Sequence, residues 1–188
     1  LYNRGDAAIQ EAITDAIRHM DGSAVPGLMA LLRGDEAIQQ TATRMLTLIG
    51  PAAIPALKDA LLRDQSSLRL VAAHVLGEIG SREVVPALVE ALPNADPHLR
   101  RLLVHALGRL GDPRAIPTLI DCLDDRDVQT VAAAIETLGR LDVRDAVPAL
   151  CRVIERPEPT IRLAAAQVLG RLGDPRAVAA LVDALRYN

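Results

Sequence analysis

The chain has 188 residues, of which 50% are hydrophobic and 24% charged, the balance of an ordinary globular protein. A net charge of −3 and a pI near 5.8 argue against a general attraction to nucleic acid. Aromatic residues make up 1% of the chain, with no Phe and no Trp, which weakens any reading in which the protein stacks on exposed bases.

Reading from the N-terminus, a unit of about 31 residues recurs to the end of the chain. Prolines fall at Pro26, Pro55, Pro86, Pro117 and Pro148, with Ala179 in the sixth slot, each followed two residues later by a leucine. A Leu-Gly pair keeps the same step at Leu76-Gly77, Leu107-Gly108, Leu138-Gly139 and Leu169-Gly170. Self-similarity at such a period marks a stacked repeat array. A partial repeat is expected over 1–22, with a helix near 7–20; repeats follow over about 24–50, 51–80, 81–111, 112–141 and 142–173, and a half repeat over 174–188.

Within a unit the apolar spacing is helical. Val85, Leu88, Val89 and Leu92 stand at i, i+3, i+4 and i+7, and Leu99, Leu102, Leu103, Ala106, Leu107 and Leu110 continue the pattern in the second half. Each unit is therefore two helices. Asp112-Pro113 and Asp174-Pro175 offer an N-cap acceptor followed by a proline that needs no partner. Gly80, Gly111 and Gly173 precede these starts, where a left-handed residue closes a helix. The inner proline either kinks the first helix or marks its start. Two leucine columns, Leu28, Leu57, Leu88, Leu119, Leu150, Leu181 and Leu46, Leu76, Leu107, Leu138, Leu169, read as core. The expected fold is all-α, an α-solenoid of stacked antiparallel helix pairs.

Segments such as Leu107-Gly108-Arg109-Leu110-Gly111-Asp112-Pro113-Arg114-Ala115-Ile116-Pro117 and Leu169-Gly170-Arg171-Leu172-Gly173-Asp174-Pro175-Arg176 resemble the short HEAT repeats of phycobilisome lyase subunits. The resemblance covers the whole chain and is strongest after residue 50; in the first unit Thr47 replaces the glycine of the Leu-Gly pair. It implies a solenoid without naming a function. The His-Glu pairs with which HEAT-type deoxyhypusine hydroxylases hold iron are missing, since the histidines precede Met20, Val75, Leu99 and Ala106. HEAT-like DNA glycosylases rely on groove aromatics, and here only Tyr2 and Tyr187 exist.

The polar columns of the second helices carry the candidate binding site. His74, His105, Glu136 and Gln167 share one column with Arg44, and one turn on stand Glu78, Arg109, Arg140 and Arg171. In the third unit His98, Arg101, His105 and Arg109 follow i, i+3, i+7 and i+11, one stripe of a helix. An arginine stripe pairs bidentately with carboxylates or phosphates; a merely solvated face is the plain alternative. Arg82, Arg114, Arg144 and Arg176 form another column, read as structural and ion-paired to an acid of the adjacent repeat or loop. His19 reads as a charge partner for helix-end carbonyls.

Cys122, in an alanine column, reads as a small buried hydrophobe, and with Cys151 in a different column the two suggest neither a disulfide nor a metal site but ordinary packing in a reducing, cytoplasmic compartment. No membrane span and no signal segment are expected. The function expected is that of a non-catalytic scaffold, with no cofactor and no metal, binding a protein or acidic peptide in its concave groove. A bilin lyase or isomerase subunit is the alternative, and nucleic-acid binding through the arginine stripe a weaker one. The chain starts at Leu1 without an initiator methionine, and Val178, Leu181, Val182 and Leu185 line one face of the last helix. A piece of a longer array, or end-to-end self-association, is therefore expected.

Overall fold

The structure, a computed structural model, describes residues 15–16, 21–64 and 68–186, and every regular element among them is helical. The helix expected near 7–20 lies outside the described residues except at positions 15 and 16, which are helical; His19 also lies outside. Two compact units divide the chain, Leu1–Ala91 and Leu92–Asn188.

The first unit holds α1 (Val25–Leu31), α2 (Glu36–Ile49), α3 (Ile54–Arg63), α4 (Leu68–Ile79) and α5 (Val85–Ala91). Here α1, α3 and α5 form one layer and α2 and α4 the other. The second unit holds α6 (Pro97–Leu110), α7 (Ile116–Asp121), α8 (Val128–Arg140), α9 (Val147–Val153), α10 (Pro159–Leu172) and α11 (Val178–Arg186). In it α6, α8 and α10 lie side by side as one layer, with α7, α9 and α11 behind them.

The inner proline marks a true helix start. A 3-10 turn, for example Pro113–Ala115 or Arg144–Ala146, runs straight into an α-helix whose second residue is Pro117 or Pro148. At that position a missing N–H leaves no hydrogen bond unmade, so the ring preorganises the helix instead of kinking it. The preceding aspartates cap the 3-10 turn and not the α-helix itself: Asp112 accepts from the Arg114 N–H at 2.9 Å, and Asp174 from the Arg176 N–H at 3.0 Å.

Three of the long second helices, α2, α6 and α8, carry an aspartate N-cap. Asp35 accepts from the Ile38 N–H, Asp96 from the Leu99 N–H and Asp127 from the Thr130 N–H, at 2.9, 2.9 and 2.8 Å. Gly111 and Gly173 close α6 and α10 in the left-handed region at φ 57° and 59°. Asp142 stands where these glycines stand in the other repeats and adopts φ 54° despite its side chain, a conformation that short polar residues tolerate.

Both leucine columns are core, with one exception. Leu46, Leu57, Leu76, Leu88, Leu107, Leu119, Leu138 and Leu150 have no exposed surface, whereas Leu181 on α11 is only half-buried. Its neighbours Val178, Val182 and Leu185 are exposed, because no second helix lies over α11 among the described residues.

Against the sequence expectation, one stretch, Glu36–Arg63, is long and apolar enough to cross a membrane. It is not one straight helix. Gly50 turns the chain at φ 69°, and the halves α2 and α3 bury Leu46, Ile54, Leu57 and Leu61 within the first unit.

Two members of the structural arginine column, Arg114 and Arg176, find their acids locally. Arg114 donates to Asp112 at 2.8 Å and Arg176 to Asp174 at 2.7 Å, two residues upstream in the same turn, and Arg176 also donates to the Arg144 carbonyl of the preceding repeat at 3.1 Å. The Arg176 hydrogen bonds hold the Asp174 carboxyl at about 2, against an ordinary 3.8. Between repeats, Arg156 donates to the carbonyls of Leu123 and Asp125, each at 3.1 Å, while the Asp125 carboxylate accepts from Arg100 at 2.6 Å.

Two outcomes check this account. Leu107→Ala or Leu119→Ala is expected to lower stability by about 2–5 kcal/mol, and half-buried Thr118→Ala by far less, in urea unfolding; an unchanged midpoint for Leu107→Ala would remove that column from the core. Because the folded-state pKa of Asp174 is depressed, its stabilisation is present above pH 3.8 and is lost as pH falls towards 2. Asp174→Asn is therefore expected to flatten the acid limb of the stability curve over that window, as read from thermal melts.

Candidate partner-binding groove

The second helices of the second unit approach one another closely, and the Leu-Gly glycines permit it. A Cβ placed on Gly108 of α6 would lie 2.6 Å from Thr137 Cγ2 and 2.7 Å from Arg140 Nη2 of α8. One on Gly139 of α8 would lie 2.7 Å from Val168 Cγ2 and 2.7 Å from Arg171 Nη2 of α10. A methyl group at either position would force the facing side chain to shift, so glycine is favoured here although it costs a helix interior about 0.5–1 kcal/mol relative to alanine. At Gly170 nothing lies within 4 Å.

Each glycine thus forms a shelf for the arginine one repeat later. Arg140 and Arg171 are exposed, yet their guanidinium groups lie against the backbone of the preceding helix. Glu136 stands four residues before Arg140, a spacing that pairs charges on isolated helices, but the two form no ion pair. Neither Arg140 nor Arg171 bonds to a carboxylate among the described residues.

Between α8 and α10 an open depression of about 800 Å³ is lined by Ala132, Ile135, Ala164 and Val168, with Glu136, Gln167 and Arg171 at its polar edge. The structure therefore gathers three predicted site residues, Glu136, Gln167 and Arg171, around one groove, with Arg140 one turn from Glu136 on α8. On α6, His98 and His105 are exposed, and Arg101 is half-buried with its guanidinium 3.1 Å from His98 Nδ1. Arg101 also faces Asp127, whose carboxyl is held below its ordinary range, chiefly by the hydrogen bond that the Thr130 hydroxyl donates at 2.7 Å. Arg109 is exposed at the end of the same stripe. His74 and Glu78 lie on α4 of the first unit, one turn apart, the first exposed and the second half-buried.

In the sequence the Leu-Gly pairs are legible only as period markers. Their role as arginine shelves has no signal in one dimension, since each glycine acts on a side chain about 32 residues away in the chain. The Asp125 hub is hidden there too, because its column holds Asn94 and Arg156 in the neighbouring repeats. The cysteines are free. Burial pushes the Cys122 thiol up to about 11, so it packs as a small apolar group. Among the described residues no group of three or more His, Cys, Asp or Glu is placed to hold a metal ion.

The model of HEAT repeats matches residues 54–134 and 124–188. The chain belongs to the HEAT-repeat family. The solved complex of CpcE and CpcF of phycocyanin lyase from Nostoc sp. PCC7120 is similar at 30% identity and a TM-score of 0.62, over 86% of this chain and 70% of that one. Human deoxyhypusine hydroxylase in complex with glycerol matches over 94% of this chain and 92% of that one, with a TM-score of 0.52. At 17% identity that likeness shows the fold alone. No curated protein sequence matches. This HEAT chain is thus an all-α solenoid of the lyase-like, short-repeat type.

The glycine series tests the groove. Gly108→Ala and Gly139→Ala are expected to destabilise by about 1–3 kcal/mol through overpacking. Gly170→Ala, facing open space, is expected to be neutral or to stabilise by up to about 1 kcal/mol from helix propensity. Equal effects at all three, read from urea midpoints, would remove the close-approach explanation.

Proposed function

We propose that this HEAT-repeat protein is a non-catalytic, cytoplasmic scaffold whose second helices bind another protein or an acidic peptide. The observation that carries the reading is the pair Arg140 and Arg171, exposed and preorganised on glycine without a bonded carboxylate among the described residues. Guanidinium groups so placed offer bidentate donors to a carboxylate at little loss of side-chain freedom. His98, Arg101, His105 and Arg109 extend the same basic surface along α6. The two free thiols, one of them buried, support a reducing compartment. Exposed Val178, Val182 and Leu185 support end-to-end association through α11.

A second reading, a subunit of a bilin lyase, is favoured by the 30% identity to the phycocyanin lyase complex. That neighbour is itself a complex of two named chains, which supports a protein partner under either reading.

Immobilised protein and its Arg140→Glu/Arg171→Glu variant, incubated with an extract of the native host, separate these ideas. The wild type is expected to retain a partner that the variant loses, with far-UV circular dichroism unchanged. Equal retention by the folded variant would move the binding surface away from the groove. A shifted visible absorption of free bilin on addition of the protein would favour the lyase reading over the scaffold.

A further inference from the structure

We infer that the groove of the second unit receives an extended acidic segment of polyproline-II type with a carboxylate at every third residue, one for each glycine-backed arginine. The inference rests on the scaffold reading and adds the chemistry of the partner.

Four arginines of this unit are committed to the fold: Arg100 to Asp125, Arg114 to Asp112, Arg156 to two carbonyls and Arg176 to Asp174. Arg140 and Arg171 make no such bond among the described residues, although 24 acidic residues are present in the chain. Each guanidinium lies against the backbone at a glycine of the preceding helix. They form an aimed pair of cations, open to an external anion.

Their spacing selects the ligand. The two arginines are equivalent residues of adjacent packed helices, and packed helix axes stand about 8–10 Å apart. A polyproline-II chain rises about 3.1 Å per residue with three residues per turn, so every third side chain returns to the same face after about 9 Å. A β-strand returns a side chain to the same face after two residues, about 7 Å, and sends the third to the opposite side. Glu136, exposed one turn before Arg140, repels an unbroken acidic run and favours acids spaced by neutral residues. The net charge of −3 and the scarcity of aromatic rings weigh against a nucleic-acid strand as the anion.

The test is fluorescence anisotropy with a fluorescein-labelled peptide of repeated Glu-Pro-Pro. Peptides of repeated Gln-Pro-Pro, and of glutamate alternating with threonine at equal charge, serve as comparisons. The Glu-Pro-Pro peptide is expected to bind most tightly, and Arg140→Gln and Arg171→Gln each to weaken it by about tenfold, the value of one charge-assisted contact. Arg186→Gln, outside the groove, is expected to leave binding unchanged, and circular dichroism confirms that each variant is folded. Equal binding of the glutamine or alternating peptide, an Arg140→Gln/Arg171→Gln variant that binds as the wild type does, or displacement of the peptide by single-stranded oligonucleotide at the same arginines would overturn the inference. If host-partner capture depends on Arg140 and Arg171 while the Glu-Pro-Pro peptide does not bind, the scaffold reading stands and this inference falls. If neither depends on them, both fall.

Discussion

A pair of short helices in this chain cannot bury its own apolar face, and the rest of the structure follows from that constraint. Leu107, Leu119, Leu138 and Leu150 lose all exposure because each lies among helices of its own and a neighbouring repeat. Where no further helix follows among the described residues, the same column fails: Leu181 is half-buried, and Val178 and Leu185 are exposed. Stability in such an array belongs to interfaces as much as to units. The capping aspartates and inner prolines serve this end by starting each helix at the position that aligns its leucines with those of the next.

The stacking is close enough to dictate residue type. At Gly108 and Gly139 the facing side chains Thr137 and Val168 occupy the space that a methyl group would need. The intrinsic helix cost of glycine is offset by the dispersion attraction between two helices packed at that distance. The same absence of a Cβ makes a flat seat for the next repeat's arginine. Packing and the candidate binding surface are therefore one arrangement, and a change that relaxes one disturbs the other.

Six arginines of the second unit differ in the company they keep. Arg100 and Arg156 are half-buried and saturated by Asp125 and by backbone carbonyls, tying the end of one helix pair to the next. Arg114 and Arg176 close their own turns on an aspartate two residues upstream. Arg140 and Arg171 have neither kind of partner among the described residues. An exposed ion pair contributes little to stability, whereas a seated but unpaired guanidinium keeps its donors for a ligand; the proposed binding role rests on that difference.

The repeat period, the two helices per unit, the leucine columns and the glycine caps were all legible in the sequence, because each depends on residues within one helical turn or on strict repetition. The polar ladder was legible as a set of columns for the same reason. Whether Pro117 kinked or began its helix was not, because both readings satisfy the same local rules; the preceding 3-10 turn decided it. The acid partners of Arg114 and Arg176 were open to either loop or neighbouring repeat until the turn geometry placed Asp112 and Asp174 within reach. Only tertiary structure showed that Gly108 seats Arg140 and that Gly139 seats Arg171. Those contacts join residues a full repeat apart, and their existence depends on the distance between two packed helices, which no one-dimensional pattern contains.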